Sequence, residues 1–144
     1  RDVAVTGVQT CALPICLATD RGRSLYEWWG SRITGLLRDD LAASPGVGVV
    51  INLASGEYFG AVRPGELDAP VVAPRFEDTD ARGRRSVVSF FAKRARGELA
   101  AWLVLNRVRT ASAITGFDGA GYRYDKAAST SETPVFVRAF ADRP

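Results

Sequence analysis

Apolar residues recur at Leu25, Trp28/Trp29, Ile33, Leu36/Leu37 and Leu41, the spacing that lines one face of a helix. Ser24 and Glu27 precede this run as a capping box, the hydroxyl accepting from a free N–H and the carboxylate reaching back. The pattern predicts a helix from about Leu25 to Ala43, closed by Ser44-Pro45-Gly46. Gly30 and Gly35 each weaken it by roughly 1 kcal/mol relative to Ala, so packing must compensate. Val47–Leu53 is a nearly continuous Val/Ile/Leu run, fitting a strand buried on both faces. Ala54–Val62 reads as a short helix stopped by Arg63-Pro64-Gly65. Val71–Phe76 and Ser86–Phe91 are β-branched and aromatic runs, and the polar stretch Glu77–Arg85 between them suits a hairpin. A strong amphipathic helix follows at Ala92–Arg109, then a glycine-rich turn region (Gly116, Gly119, Gly121) and short strands at Tyr122–Tyr124 and Pro134–Ala139. The fold class is α+β, a mixed sheet with flanking amphipathic helices.

The helix beginning near Ala92 has two chemically distinct sides. At 100° per residue, Lys93, Arg96, Gly97, Ala100 and Arg107 share one stripe. Phe91, Ala95, Leu99, Trp102, Leu103 and Leu105 take the other side and are expected to face the core. Cations interleaved with small residues let a phosphate or a backbone come close, and guanidinium forks and ammonium groups are the usual phosphate readers. The plainer alternative, which composition alone favours, is a solvated basic face with Gly97 as a packing contact.

Charge sharpens this. The net charge is only +3, yet Arg82, Arg84, Arg85, Lys93, Arg94 and Arg96 follow one another with no acid between Arg82 and Arg96. A local basic stripe on a nearly neutral chain points to a polyanionic partner more than to general solubility. Composition also excludes much. There is no His, and the two cysteines, Cys11 and Cys16, stand at the N-terminal end. From Leu17 onward no imidazole or thiolate is available for a Ser-His-Asp triad, a Cys-His pair or a zinc site. No apolar run approaches membrane-helix length. No cofactor and no metal are expected, and no protein partner is identifiable.

The first residues differ in kind. The chain opens at Arg1 and contains no Met, as an open reading frame truncated at its 5′ end would. Val5–Ile15 matches the in-frame translation of a sequencing-library adapter. Residues 1–16 are therefore expected to be a non-native leader, and 17–144 the protein domain proper.

Two further stretches invite chemical readings. Asn52-Leu-Ala-Ser-Gly-Glu-Tyr-Phe59 sets Asn52, Ser55, Glu57 and Tyr58 where a buried strand gives way to a helix, a common ligand position in α/β folds. The plainer alternative has Ser55 capping the helix, Glu57 complementing its dipole and Tyr58 packing. Glu77-Asp78-Thr79-Asp80 lacks the glycine and spaced oxygens of a calcium loop and reads as a solvated turn. The aromatics Phe117, Tyr122, Tyr124, Phe136 and Phe140 are expected in the core.

Taken in order, Leu25-Tyr-Glu-Trp-Trp-Gly30, Asn52 to Phe59, Phe91-Ala-Lys-Arg-Ala-Arg-Gly97 and Thr115-Gly-Phe-Asp-Gly-Ala-Gly-Tyr122 resemble the C-terminal half of the YaaA peroxide-stress family. Ser129 to Arg138 is similar to its Ser-rich turn and its final strand ending Phe-x-Arg. The resemblance implies a bacterial cytoplasmic protein that limits free intracellular iron under hydrogen peroxide and so spares DNA from oxidation. It also implies a positively charged cleft, a helix-hairpin-helix element and DNA binding. Lys93, Arg94, Arg96 and Gly97 match the family's basic motif, and Asn52, Ser55, Glu57 and Tyr58 its polar one. Gly60 departs from the pattern, standing where relatives often carry Lys. The family's N-terminal half is not matched, so the chain is expected to be a fragment.

These readings give a non-enzymatic DNA binder whose phosphate contacts come from Lys93, Arg94, Arg96, Gly97 and Arg107. The alternative is an enzyme acting on a nucleotide or nucleic acid, with Glu57 or Tyr58 moving a proton and Lys93 and Arg96 holding phosphate.

Overall fold

A computed structural model describes residues 18–46 and 48–143. The expected leader at 1–16 lies outside them. Two short helices open the described part, α1 at Leu25–Trp29 and α2 at Arg32–Ala43. They replace the single helix expected over this span. Ser24 Oγ caps α1 by accepting from Glu27 N–H, as the capping box requires. Gly30 then takes a φ of 53°, a left-handed value that ends α1 and turns the chain into α2. Glycine's tolerance of that conformation, more than its weak helix propensity, divides the element.

The Val/Ile/Leu run yields only a short strand, β1 at Val50–Ile51, and Ser55 caps a four-residue helix, α3 at Gly56–Phe59. β1 pairs in parallel with β2, Val71–Val72, to make a two-stranded sheet. The β1 residues are half-buried rather than enclosed on both faces.

A second sheet holds four strands: β3 at Arg75–Thr79, β4 at Arg85–Ser86, β5 at Arg123–Tyr124 and β6 at Val135–Arg138. Their spatial order is β4-β3-β6-β5, with β3 and β6 parallel at the centre and antiparallel strands outside. The expected α+β class with a mixed sheet is what forms. A hairpin does join β3 to β4, but its strand runs through the polar residues 77–79, and the turn is only Asp80–Arg84. Asp80 organises that turn, its Oδ1 accepting from the N–H groups of Arg82 at 2.8 Å and Arg84 at 2.9 Å.

Helix α4, Ser89–Leu105, lies across the four-stranded sheet and buries Ala92, Ala95 and Leu99. The core comprises these three with Phe76, Phe136, Ile114, Phe117 and Tyr122. Phe76 and Phe136 sit opposite each other in the β3–β6 register and stack at 5.3 Å between centroids. Phe117, Tyr122 and Phe136 are thus in the core as expected. Phe140 is not, being 52% exposed. Leu105 also departs from expectation: it is 81% exposed at the end of α4, beside Val104 at 76%.

Candidate functional site

The turn that follows β1, with the start of α3, faces the N-terminal half of α4 across an open groove of about 520 Å³. One wall carries Ser55, Glu57 and Tyr58, the other Lys93, Arg96, Gly97 and Ala100. An adjoining hollow of about 300 Å³ shares Ser55 and Arg96 and adds Asn52. Two motifs separated by some forty residues of sequence therefore meet.

Each wall follows from local chemistry. Asn52 Oδ1 accepts from Ala54 N–H at 3.0 Å, which turns the chain out of β1. Ser55 Oγ then accepts from Tyr58 N–H as the cap of α3. The plainer reading of Ser55 holds, while its hydroxyl proton stays free to donate. Tyr58 does not pack: its ring is 72% exposed. On the opposite wall, 3.6-residue periodicity sets Lys93, Arg96, Gly97 and Ala100 on one side of α4, as expected. A Cβ built on Gly97 meets nothing within 4 Å, so the space above this glycine is open. The N-cap residue of α4, Val88, offers no side-chain oxygen to the first-turn N–H groups, and Ser89 of that turn lines the groove.

The basic stripe is less uniform than its sequence. Arg84 pairs with Asp80 at 2.8 Å, Arg85 with Asp125 at 2.6 Å and Arg94 with Glu98 at 2.9 Å. The Arg85 guanidinium, then N–H donation from Ala128, holds the Asp125 carboxyl below its ordinary range. The Asp80 carboxyl is lowered mainly by the Arg84 backbone N–H. Half of the six cations are thereby neutralised. Lys93 and Arg96 have no carboxylate partner among the described residues. Arg96 Nε donates to the Ala92 carbonyl at 3.2 Å, anchoring the stem while the rest of the fork stays available. Arg94 does not line the groove. Arg107 does not either, because α4 ends at Leu105 and Arg107 takes a positive φ of 48° beyond it. Gly60 abuts the Tyr26 ring, which a Cβ there would meet at 3.0 Å.

A second polar cluster, which the sequence reading missed, lies inside the fold. Asp78 and Arg138 face each other in the β3–β6 register and are 0% and 2% exposed. Arg138 Nε donates to Asp78 Oδ1 at 2.8 Å, and its Nη2 lies at the same distance from that oxygen without hydrogen-bond alignment. Oδ2 is occupied instead by the Tyr122 hydroxyl, which donates at 2.8 Å. Burial foremost, then this hydrogen bond, pushes the Tyr122 hydroxyl well above the ordinary tyrosine range. The Arg138 guanidinium lies over the Phe91 ring at 4.4 Å and the Tyr122 ring at 4.6 Å. Gly121, at φ 77°, lets the 140–142 segment close over the pair, since a Cβ there would meet the Asp142 carbonyl at 3.1 Å. The solvated-turn reading of Glu77-Asp78-Thr79-Asp80 is therefore right for Asp80 and wrong for Asp78. The signal was present as parity, since Phe76/Asp78 and Phe136/Arg138 alternate in step.

Among the described residues no group of three or more His, Cys, Asp or Glu could hold a metal ion, and no helix is long and apolar enough to cross a membrane. Fold and groove define an α+β chain with an open cleft, cationic on one wall, beside a buried ion pair. The sequence profile of the family described as "Peroxide stress protein YaaA" matches residues 11–128, and the chain belongs to that family. A "UPF0246 protein" from Dinoroseobacter shibae is 47% identical over 127 residues, covering 88% of this chain and 46% of the relative. One from Cellvibrio japonicus is 43% identical over 121 residues, covering 84% and 46%. One from a Marinomonas species is 42% identical over 128 residues, covering 89% and 48%. The chain spans about half the length of the curated relatives it matches.

Proposed function

We propose that this chain contributes to the peroxide-stress response of a bacterial cytoplasm by binding DNA through the phosphate backbone, Lys93 and Arg96 making the contacts. The observation that supports this is the pairing pattern. Of the six clustered cations, Arg84, Arg85 and Arg94 are paired with carboxylates; of the three without one among the described residues, Lys93 and Arg96 share the groove wall and Arg82 lies in the β3–β4 turn. Uncompensated cations beside the free N–H groups of a helix start suit phosphate oxygens. Gly97 leaves room for close approach. Protection of DNA from iron-driven oxidation, with a fall in free intracellular iron, is the outcome assigned to this binding. The described residues carry no metal cluster of their own.

The test is fluorescence anisotropy of a labelled duplex at several salt concentrations, for this chain and for its Lys93→Ala/Arg96→Ala variant. Binding should weaken steeply with salt, and the variant should lower the slope by about one for each phosphate no longer neutralised. An unchanged slope refutes the assignment. For the iron outcome, free iron measured by electron spin resonance in peroxide-treated cells should rise when the same two residues are replaced in the full-length protein.

A second reading has one observation in its favour. Glu57 and Tyr58 share the groove with Lys93 and Arg96, as an enzyme acting on a nucleotide would require. The openness of the site and the 72% exposure of Tyr58 count against it, because proton transfer gains from exclusion of water. Nucleotide turnover that Glu57→Gln abolishes would establish this reading over the first.

A further inference from the structure

The apolar stripe of α4 continues further than its cover. Leu105 belongs by periodicity with Ala95, Leu99 and Trp102, yet it is 81% exposed, and neighbouring Val104 is 76% exposed. Nearby runs a mostly apolar groove of about 180 Å³, lined by Val49, Ile51, Leu103, Val108 and Ile114 and bordered by Arg109 and Thr110. Its outer boundary is β1, which pairs only with β2 among the described residues. The N–H groups of Val50 and Asn52 are spent on β2, donating to Pro70 at 3.0 Å and Val72 at 2.8 Å. Strand alternation therefore turns the N–H and C=O of Ile51 toward the opposite, open edge. Parallel pairs are stable when both faces are covered and further strands continue the sheet, and two strands alone fall short of that.

We propose that in the full-length family protein the part of the relatives' length that this chain does not span docks here. It adds a β-strand to the free edge of β1 and places apolar side chains in the groove and over Leu105. Length favours this occupant over a separate protein, since the relatives are about twice as long as the matched segment. The surface also lies on α4, the helix that carries Lys93 and Arg96, so docking would fix the C-terminal end of the helix whose other end walls the cation groove. The inference does not depend on what that groove binds.

The experiment is amide hydrogen exchange on the full-length Dinoroseobacter shibae relative. The position aligned with Ile51 is compared with the two aligned with Val50 and Asn52, and with Ile51 in the 144-residue chain. The proposal expects the Ile51-aligned amide to be protected to the level of its two neighbours, and about a hundredfold or more beyond Ile51 in the shorter chain. Replacement by Lys at the position aligned with Leu105 should lower the melting temperature of the full-length relative, whereas Leu105→Lys leaves the shorter chain unchanged. Fast exchange at the Ile51-aligned position in the relative overturns the proposal. So does protection that appears in the 144-residue chain with rising concentration, which would make a second copy the occupant. If the shorter chain does not fold alone, the comparison within the relative still decides.

Discussion

Two polar clusters flank α4, and they treat charge in opposite ways. On the sheet side, Asp78, Arg138 and Tyr122 are buried, mutually bonded and roofed by aromatic rings. On the groove side, Lys93 and Arg96 stand at the surface without carboxylates. A buried charge paired inside the chain is closed off from a ligand by burial, and its removal is felt as instability. A solvated charge without a partner contributes little to folding and remains available. The helix between them thus separates charges bound up in the fold from charges left without a carboxylate.

The contrast is most easily broken at its buried end. Asp78→Ala strands the Arg138 guanidinium without a counter-charge, and urea unfolding should show a loss of about 3–5 kcal/mol. A loss under about 1 kcal/mol would mean that water reaches and satisfies the site, since the neighbouring Arg143 is a second cation that loses the same carboxylate. Tyr122→Phe removes one donor to the carboxylate, with an expected cost of about 1.5–3 kcal/mol.

The same tyrosine gives the pH test. Its folded pKa lies above the ordinary value near 10, so the neutral hydroxyl favours the fold. That contribution is complete below pH 10 or so and is lost as pH rises toward the folded value. Alkaline unfolding of the native chain should therefore include a phase that Tyr122→Phe flattens. At the groove, Gly97→Leu sets stability against function. An exposed helix interior should gain about 1 kcal/mol, while the side chain fills the space above the groove and DNA affinity falls. Equal DNA affinity would show that no phosphate approaches the helix there. The smallest effect belongs to Arg94→Ala: its guanidinium is already paired with Glu98, so the salt slope of DNA binding should stay within error of the native chain.

How much of this the sequence contained depends on the range of the interaction concerned. The capping box at Ser24, the cap at Ser55, the amphipathic sides of α4 over residues 92–100 and the aromatic core were all legible, because each follows from residues a few positions apart. So was the pairing of motifs by resemblance, although only the fold brings Ser55, Glu57 and Tyr58 to Lys93 and Arg96. Gly30 carried its signal in part: a glycine in a helical pattern warned of weakness but not of a left-handed turn.

What the tertiary structure alone decided is where each charge ends up. Asp78 and Asp80 stand in one acidic run, yet strand parity carries the first into the core opposite Arg138 and leaves the second to organise a turn. Arg94 and Arg96 stand in one basic motif, yet a helical offset of 200° gives one to Glu98 and leaves the other on the groove wall. Composition and local spacing determine which elements form, since propensity, capping and periodicity act over single turns. Arg94 and Arg84 are paired within one turn of chain, but the partners that silence Asp78, Arg85 and Arg138 lie forty to sixty residues away, and that distance closes only when the chain folds.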